Sequence, residues 1–368
     1  MKLAKWREQR NRAQGERIFR DAMDDYAAGQ LTRQQGNQML ARVLSILVLA
    51  SPLVPMAAGI ALIVSTLPSL GGVFWGGVLI ALGVFLWPAR YKIPDEALTR
   101  TDAPAFFDAL DHVCAALDAP QIDRVMITDD FNAFVTQTPR HRVLGIGALL
   151  WQAITPAERR AVIAHEIAHL VNDDPSRSRL IGGALKTLEK WVDFLTSDEY
   201  QANNVVGELL VMPFLLVASV VQRALWRLMF LQSQRAEYLA DALAARAAGP
   251  DAIVRLLETL SLSDHMYQSW SGLHGLRQAR GVKVLDLLVS PLAGWNDSKR
   301  GEMLAQMDVE TLTVDSTHPP TGYRISFIQA LPFDAPLLHA DLFAESDVDI
   351  APQMAQIGEK LAAVFDVQ

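Results

Sequence analysis

The residues best able to act together chemically lie in one stretch, 155–174, TPAERRAVIAHEIAHLVNDD. His165, Glu166 and His169 form an H-E-x-x-H pattern. On a helix, positions four apart share a face, so both imidazoles can reach one tetrahedral zinc ion. Glu166 then sits beside that ion, where it can take a proton from a zinc-bound water. The helix itself is well signalled. Thr155 is a good N-cap, Pro156 suits the first helical position, and Glu158 follows the cap by three, completing a capping box. The spacing predicts a helix over 156–171, stopped by Asn172-Asp173-Asp174-Pro175.

Two histidines leave a zinc site incomplete. Glu237 and Asp241 are also four apart, in a second strongly helical stretch, 232–247. Glu237 can complete a His/His/Glu set and leave one position open for water. Asp241, one turn on, can accept a hydrogen bond from the far nitrogen of a ligating histidine. A solvated acidic face is the plain alternative, but Tyr238, Leu239, Ala240, Ala242 and Leu243 crowd the pair. Other histidines (His112, His265, His274, His339) lack such partners and read as ordinary, and His141 falls in a turn with no assignable role.

The elements that must position these residues follow from the rest of the chain. Hydrophobic residues make up 51% of it and mean hydropathy is positive, which points to membrane-embedded segments. A net charge of −8 argues against a nucleic-acid partner. The single cysteine, Cys114, excludes an internal disulfide framework and reads as a small buried hydrophobe. Residues 1–42 carry nine Lys/Arg against five acids; Ile18, Ala22 and Tyr26 have helical spacing, but a solvated basic juxtamembrane segment is the preferred reading. The stretches 43–64 and 67–87 are uncharged and long enough to cross a bilayer as a helical hairpin, the 43–90 membrane domain. Arg90 and Lys92 follow at once, so the positive-inside rule places both the N-terminus and the chain after residue 90 in the cytoplasm.

After the hairpin, 104–117 reads as a helix and 124–128, 133–136 and 143–146 as strands, a small sheet directly before the motif helix. The stretch 205–221 is apolar apart from Glu208. A site built from both sides of it requires an even number of crossings. The charged helix at 176–200 is a poor crossing partner, so 205–221 is expected along the membrane surface or in a buried groove rather than as half of an inserted pair. Residues 331–368 read as an acidic helical tail.

Three blocks in order, HEIAHLVNDD, EYLADALA and Thr317-His318-Pro319-Pro320-Thr321-Gly322-Tyr323-Arg324-Ile325, resemble the HtpX and CaaX prenyl-protease family of membrane zinc metallopeptidases. A looser fourth block is Asn132-Ala133-Phe134. The resemblance covers about residues 95–330. It implies an α+β, mostly helical gluzincin fold over 91–330, with one zinc held by His165, His169 and Glu237 and Glu166 as general base. It further implies that Asp241 orients a ligating histidine, that His318 stabilises the oxyanion with support from Arg324, and that Asn132, Ala133 and Phe134 border a cleft for extended substrate. Two or three spans cannot build the membrane chamber of the prenyl-protease branch. The expectation is therefore a multi-pass inner-membrane endopeptidase, in contact with lipid, that cleaves misfolded or membrane-associated proteins at the cytoplasmic face. A peptidase dedicated to one membrane-proximal substrate and a zinc-binding scaffold that does not cleave are the alternatives.

Overall fold

The computed structural model describes residues 2–29, 38–89, 93–138, 140–171, 179–196, 205–272, 275–276, 278–293, 301–302 and 318–366. Arg33, Arg90, Lys92, the stop at 172–175, His274 and Thr317 lie outside them. In chain order the helices are α1 (Lys2–Ala27), α2 (Gln38–Ala50), α3 (Leu53–Thr66), α4 (Leu70–Phe85), α5 (Pro104–Ala116), α6 (Ala148–Ala153), α7 (Pro156–Val171), α8 (Arg179–Thr196), α9 (Val205–Ala248), α10 (Pro250–Ser261), α11 (Ser263–Ser269), α12 (Val282–Ala293), α13 (Thr321–Ala330) and α14 (Ser346–Asp366). The strands β1 (Arg124–Thr128), β2 (Ala133–Gln137) and β3 (Arg142–Gly147) separate α5 from α6. The fold is mostly helical with one small sheet.

The chain divides into two units that are not contiguous in sequence. One comprises Met1–Arg33, Ile93–Asp174 and Ser233–Gln368; the other comprises Gln34–Lys92 and Pro175–Gln232. This differs from the linear division expected from the sequence. The stretch 175–232 groups with the apolar helices, while the N-terminal segment and the C-terminal tail group with the peptidase motif.

In the first unit, β3 is central, with β1 parallel on one side and β2 antiparallel on the other. β2 is therefore an edge strand. Helix α7 begins with the capping box read from the sequence. Thr155 N–H donates to Glu158 Oε2 at 2.8 Å, and Glu158 N–H reaches Thr155 Oγ1 at 3.4 Å. Glu158 is itself buried, and its other oxygen accepts Thr259 Oγ1–H from α10 at 2.7 Å. The same cap that starts α7 thus ties it to α10.

The acidic tail is an integral part of this unit. Phe343 is fully buried and packs on Phe106 and Trp151. Asp347 accepts Trp151 Nε1–H at 2.9 Å and pairs with Arg159 at 2.7 Å. Asp349 accepts the N–H groups of Ala105 and Phe106 at 2.7 and 3.0 Å, capping α5, whose own N-cap residue, Ala103, has no side chain that can do so. Helix α1 also departs from the solvated segment expected: Ile18 and Ala22 are buried on its inner face. Cys114 is buried as expected, and burial pushes its thiol up to about 11.

The second unit is built on α3 and α4, which pack as a hairpin. Gly59 and Gly76 meet at the contact; a Cβ on Gly59 would fall 2.5 Å from the Gly76 carbonyl oxygen. Such small-residue contacts let helices approach closely where apolar solvent gives no hydrophobic drive. Between α2 and α3 Pro52 keeps helical dihedrals. Pro52 has no N–H to give Val48 O, and Ser51 Oγ–H supplies that carbonyl instead at 2.8 Å. Taken together across Ser51 and Pro52, 39–66 is long and apolar enough to cross a membrane, as is 212–230; α4 is apolar but shorter. Ile46, Val54, Val64, Leu70, Phe74, Leu216 and Val217 are all more than half exposed, an outward apolar surface that suits lipid.

Helix α8, whose charges make it a poor crossing partner, meets the C-terminal end of α4. Lys190 Nζ donates to Phe85 O and Trp87 O at 3.2 and 3.0 Å, and Trp191 Nε1 donates to Leu86 O at 3.2 Å. These are the terminal carbonyls that a helix cannot satisfy internally. The stretch 205–221 is not a separate surface segment. It is the start of α9, a continuous 44-residue helix that also contains Glu237.

Asp349→Ala should lower stability by about 1–2 kcal/mol through loss of the α5 cap. The expected result is a drop of a few degrees in the unfolding midpoint of the detergent-solubilised protein. An unchanged midpoint would show that the tail does not support α5.

Candidate metal centre

Helix α7 buries most of its length, including His165, Glu166 and His169. The two histidines project from one face, with their Nε2 atoms 3.2 Å apart. Glu237, from α9, brings its carboxylate to both: Oε2 lies 3.4 Å from His165 Nε2, and Oε1 lies 3.5 Å from His169 Nε2. An ion bound tetrahedrally at about 2.0–2.1 Å sets its ligand atoms about 3.3 Å apart. The contact between the two imidazole nitrogens matches that edge length, and the Glu237 carboxylate turns one oxygen to each ring at a similar distance, so the donor set fits a metal ion.

Glu166 is the competing carboxylate, since it too lies within metal-binding reach of the histidine pair. Its Oε2 accepts the backbone N–H of Val135 at 3.1 Å, which orients it toward the edge strand. Glu237, which meets both rings, therefore suits the third ligand position, and Glu166 lies beside the pair with one oxygen held by the sheet edge.

The groups behind the donors fix their orientation. His165 Nδ1 lies 3.0 Å from Asp241 Oδ1. Arg324 grips Asp241 with two parallel hydrogen bonds, Nε to Oδ2 and Nη2 to Oδ1, both 2.7 Å. Such a fork sets direction as well as charge. His318 Nδ1 lies 2.7 Å from Glu237 Oε2, so its ring reaches the site at the exposed rim.

The charges in the cluster hold one another. Burial works against a charge on His165, yet Asp241 and Glu237 outweigh it and hold the imidazole up to about 9. Burial likewise favours neutral acids, but His318 and His169 keep Glu237 well below the usual carboxylate range, and Arg324 keeps Asp241 low. Two ionised carboxylates thus converge on the imidazole pair.

A cavity of about 450 Å³ opens beside these residues. Asn132, Ala133, Glu166 and His318 line it, as do Val162 and the apolar face of α10 at Ile253, Leu256, Leu257 and Leu260. Phe134 is not among its lining residues. Side chains alternate along a strand, and the Phe134 ring covers Gly145 of β3, where an added Cβ would meet it at 2.3 Å. The looser sequence block therefore divides: Asn132 and Ala133 face the cavity, while Phe134 packs on the sheet. The α10 wall was not singled out from the sequence, although its i, i+3, i+4, i+7 apolar spacing is legible there.

A helix-borne histidine pair, a carboxylate from a second helix and an adjacent strand edge define a class, the metal-dependent peptidases. The model of peptidase family M48 matches residues 108–331, and the chain belongs to that family. A protease HtpX homologue of Syntrophobacter fumaroxidans is 27% identical over 252 residues, covering 64% of this chain and 79% of its own length. One from Gemmatimonas aurantiaca is 28% identical over 246 residues, covering 64% and 78%. Protease HtpX of Chromohalobacter salexigens is 29% identical over 214 residues, covering 52% and 68%. No solved structure matches.

Asp241→Asn removes the charge behind His165. It should weaken metal retention by about 10–100-fold, read as a shift in chelator-competition midpoint. Retention at the wild-type level would show that Asp241 does not tune the site.

Proposed function

We propose that the protein is a membrane-anchored zinc endopeptidase. His165, His169 and Glu237 hold the ion, and Glu166 is the general base. The observation that carries this reading is the buried meeting of two imidazoles and the Glu237 carboxylate, with Glu166 beside them at a strand edge. Zinc, when bound there, supplies a Lewis acid that polarises a carbonyl and makes water more acidic.

The chain's own residues supply the rest. Glu166 takes a proton from the attacking water and returns it to the leaving amide nitrogen. His318 has Nδ1 against Glu237, which leaves Nε2 to face the cavity and the developing oxyanion. Asp241 and Arg324 keep the His165 ring in place. Substrate lies extended along β2. In the antiparallel register Asn132 O pairs with Gly147 N, so the odd-numbered residues of β2 direct their backbone groups away from β3. Val135 N–H uses that freedom to reach Glu166, and Ala133 offers its backbone to a peptide.

The apolar helices of the second unit support anchorage in a membrane. The basic residues flanking 43–87 support a cytoplasmic catalytic face in the inner membrane. The relatives' name, protease HtpX, supports a protein or peptide substrate, and a strand edge that offers backbone groups supports one that binds extended, as an unfolded or membrane-associated protein segment can.

Glu166→Gln keeps an acceptor for Val135 N–H but cannot move a proton. It should retain metal and fold while turnover of an unfolded model substrate falls by about 10²–10⁴. Cleavage at the wild-type rate would refute the assignment of Glu166 as base.

A further inference from the structure

Helix α1 lies outside the family match at 108–331, and nothing in the catalytic reading uses it. Its inner face nevertheless packs directly behind the metal centre. Phe19 stacks on Tyr323 with centroids 5.5 Å apart and rings 22° from parallel. Tyr26 meets Phe327 edge-on at 5.9 Å. Asp25 is ion-paired with Arg235, two residues before Glu237. Tyr238, next to Glu237 in the chain, closes the cluster, with Phe327 at 5.0 Å and Phe19 at 6.4 Å.

We propose that α1 is a positioning element of the catalytic site: Phe19 and Tyr26, acting through Tyr323 and Phe327, hold α13 in the register at which Arg324 grips Asp241. Helix α13 has only ten residues, too few to persist without tertiary support. One support is α10, which packs on it and whose Ser261 hydroxyl meets that of Thr321 at 3.1 Å. The other is α1. Arg324 follows Tyr323 in the chain, and its two 2.7 Å bonds to Asp241 tolerate little rotation of the helix that carries it. Turning α13 would break the fork and free the carboxylate behind His165. Gly15, Ile18 and Ala22 are buried at helical spacing on α1, so this face of the helix is covered by protein rather than solvent.

The inference rests on His165, His169 and Glu237 being metal ligands, and it is tested on the full-length protein in detergent. Chelator-competition midpoint, kcat and KM on an unfolded model substrate, and unfolding midpoint are measured together. Phe19→Ala with Tyr26→Ala should weaken metal retention about tenfold and lower kcat with little change in KM. Arg324→Lys should do the same, and the triple variant should be no worse than Arg324→Lys alone, because all act through one fork. Asp25→Arg and Arg235→Asp should each weaken retention and together restore it. Arg12→Ala, on the exposed face, should change nothing.

Wild-type metal retention in the double alanine variant, or losses that add fully to those of Arg324→Lys, would overturn the proposal. If the double alanine variant does not fold, Phe19→Leu with Tyr26→Leu, which keeps apolar bulk without rings, is judged by the same criteria. A wild-type chain that retains no metal would instead overturn the functional reading.

Discussion

Two imidazoles and one carboxylate from two helices meet through contacts of 3.2–3.5 Å in buried surroundings, and the rest of the first unit is arranged to keep them there. Each ion taken out of water costs several kcal/mol unless it is paired and hydrogen-bonded. The pairing here is continuous. Arg324 faces Asp241, Asp241 faces His165, His165 and His169 face Glu237, and Glu237 faces His318. Removing one member leaves the next buried without its partner, so the network constrains geometry as well as charge. The members come from α7, α9 and the 318–324 segment, so the packing of those elements is the property on which the site depends.

That packing uses a few contacts twice. The Thr155–Glu158 box starts α7 and, through Thr259, anchors α10, the helix whose apolar face walls the cavity. Val135 N–H holds Glu166 and thereby joins the sheet edge to the motif helix. Asp347 and Asp349 on the tail fasten α6, α7 and α5. The sheet is small, but its edge strand supplies what helices cannot: backbone groups facing outward in an extended geometry that a peptide can match.

The second unit solves a different problem, unpaired backbone in apolar surroundings. At Pro52 the freed carbonyl is met by the Ser51 hydroxyl, and at the end of α4 the last carbonyls are met by Lys190 and Trp191. Charge on α8 is therefore compatible with apolar neighbours when it answers an unpaired helix end.

The sequence by itself determined most local elements. The α7 boundaries, the three strands and the α5 helix follow from caps, alternation and periodicity, which are short-range effects of backbone geometry. It also marked His165, Glu166, His169, Glu237, Asp241, His318 and Arg324, because i, i+4 spacing is visible without coordinates and the blocks resemble known ones. Only the tertiary structure decided what those residues touch. That the Glu237 carboxylate reaches the histidine pair depends on groups about 70 residues apart in the chain meeting within 3.5 Å. That Phe134 turns away from the cavity while Ala133 faces it follows from how β2 sits on β3. That α1 is docked, that the acidic tail caps α5, and that 205–248 is one helix all depend on long-range packing partners. Periodicity identifies a face that must be covered; it does not say by what.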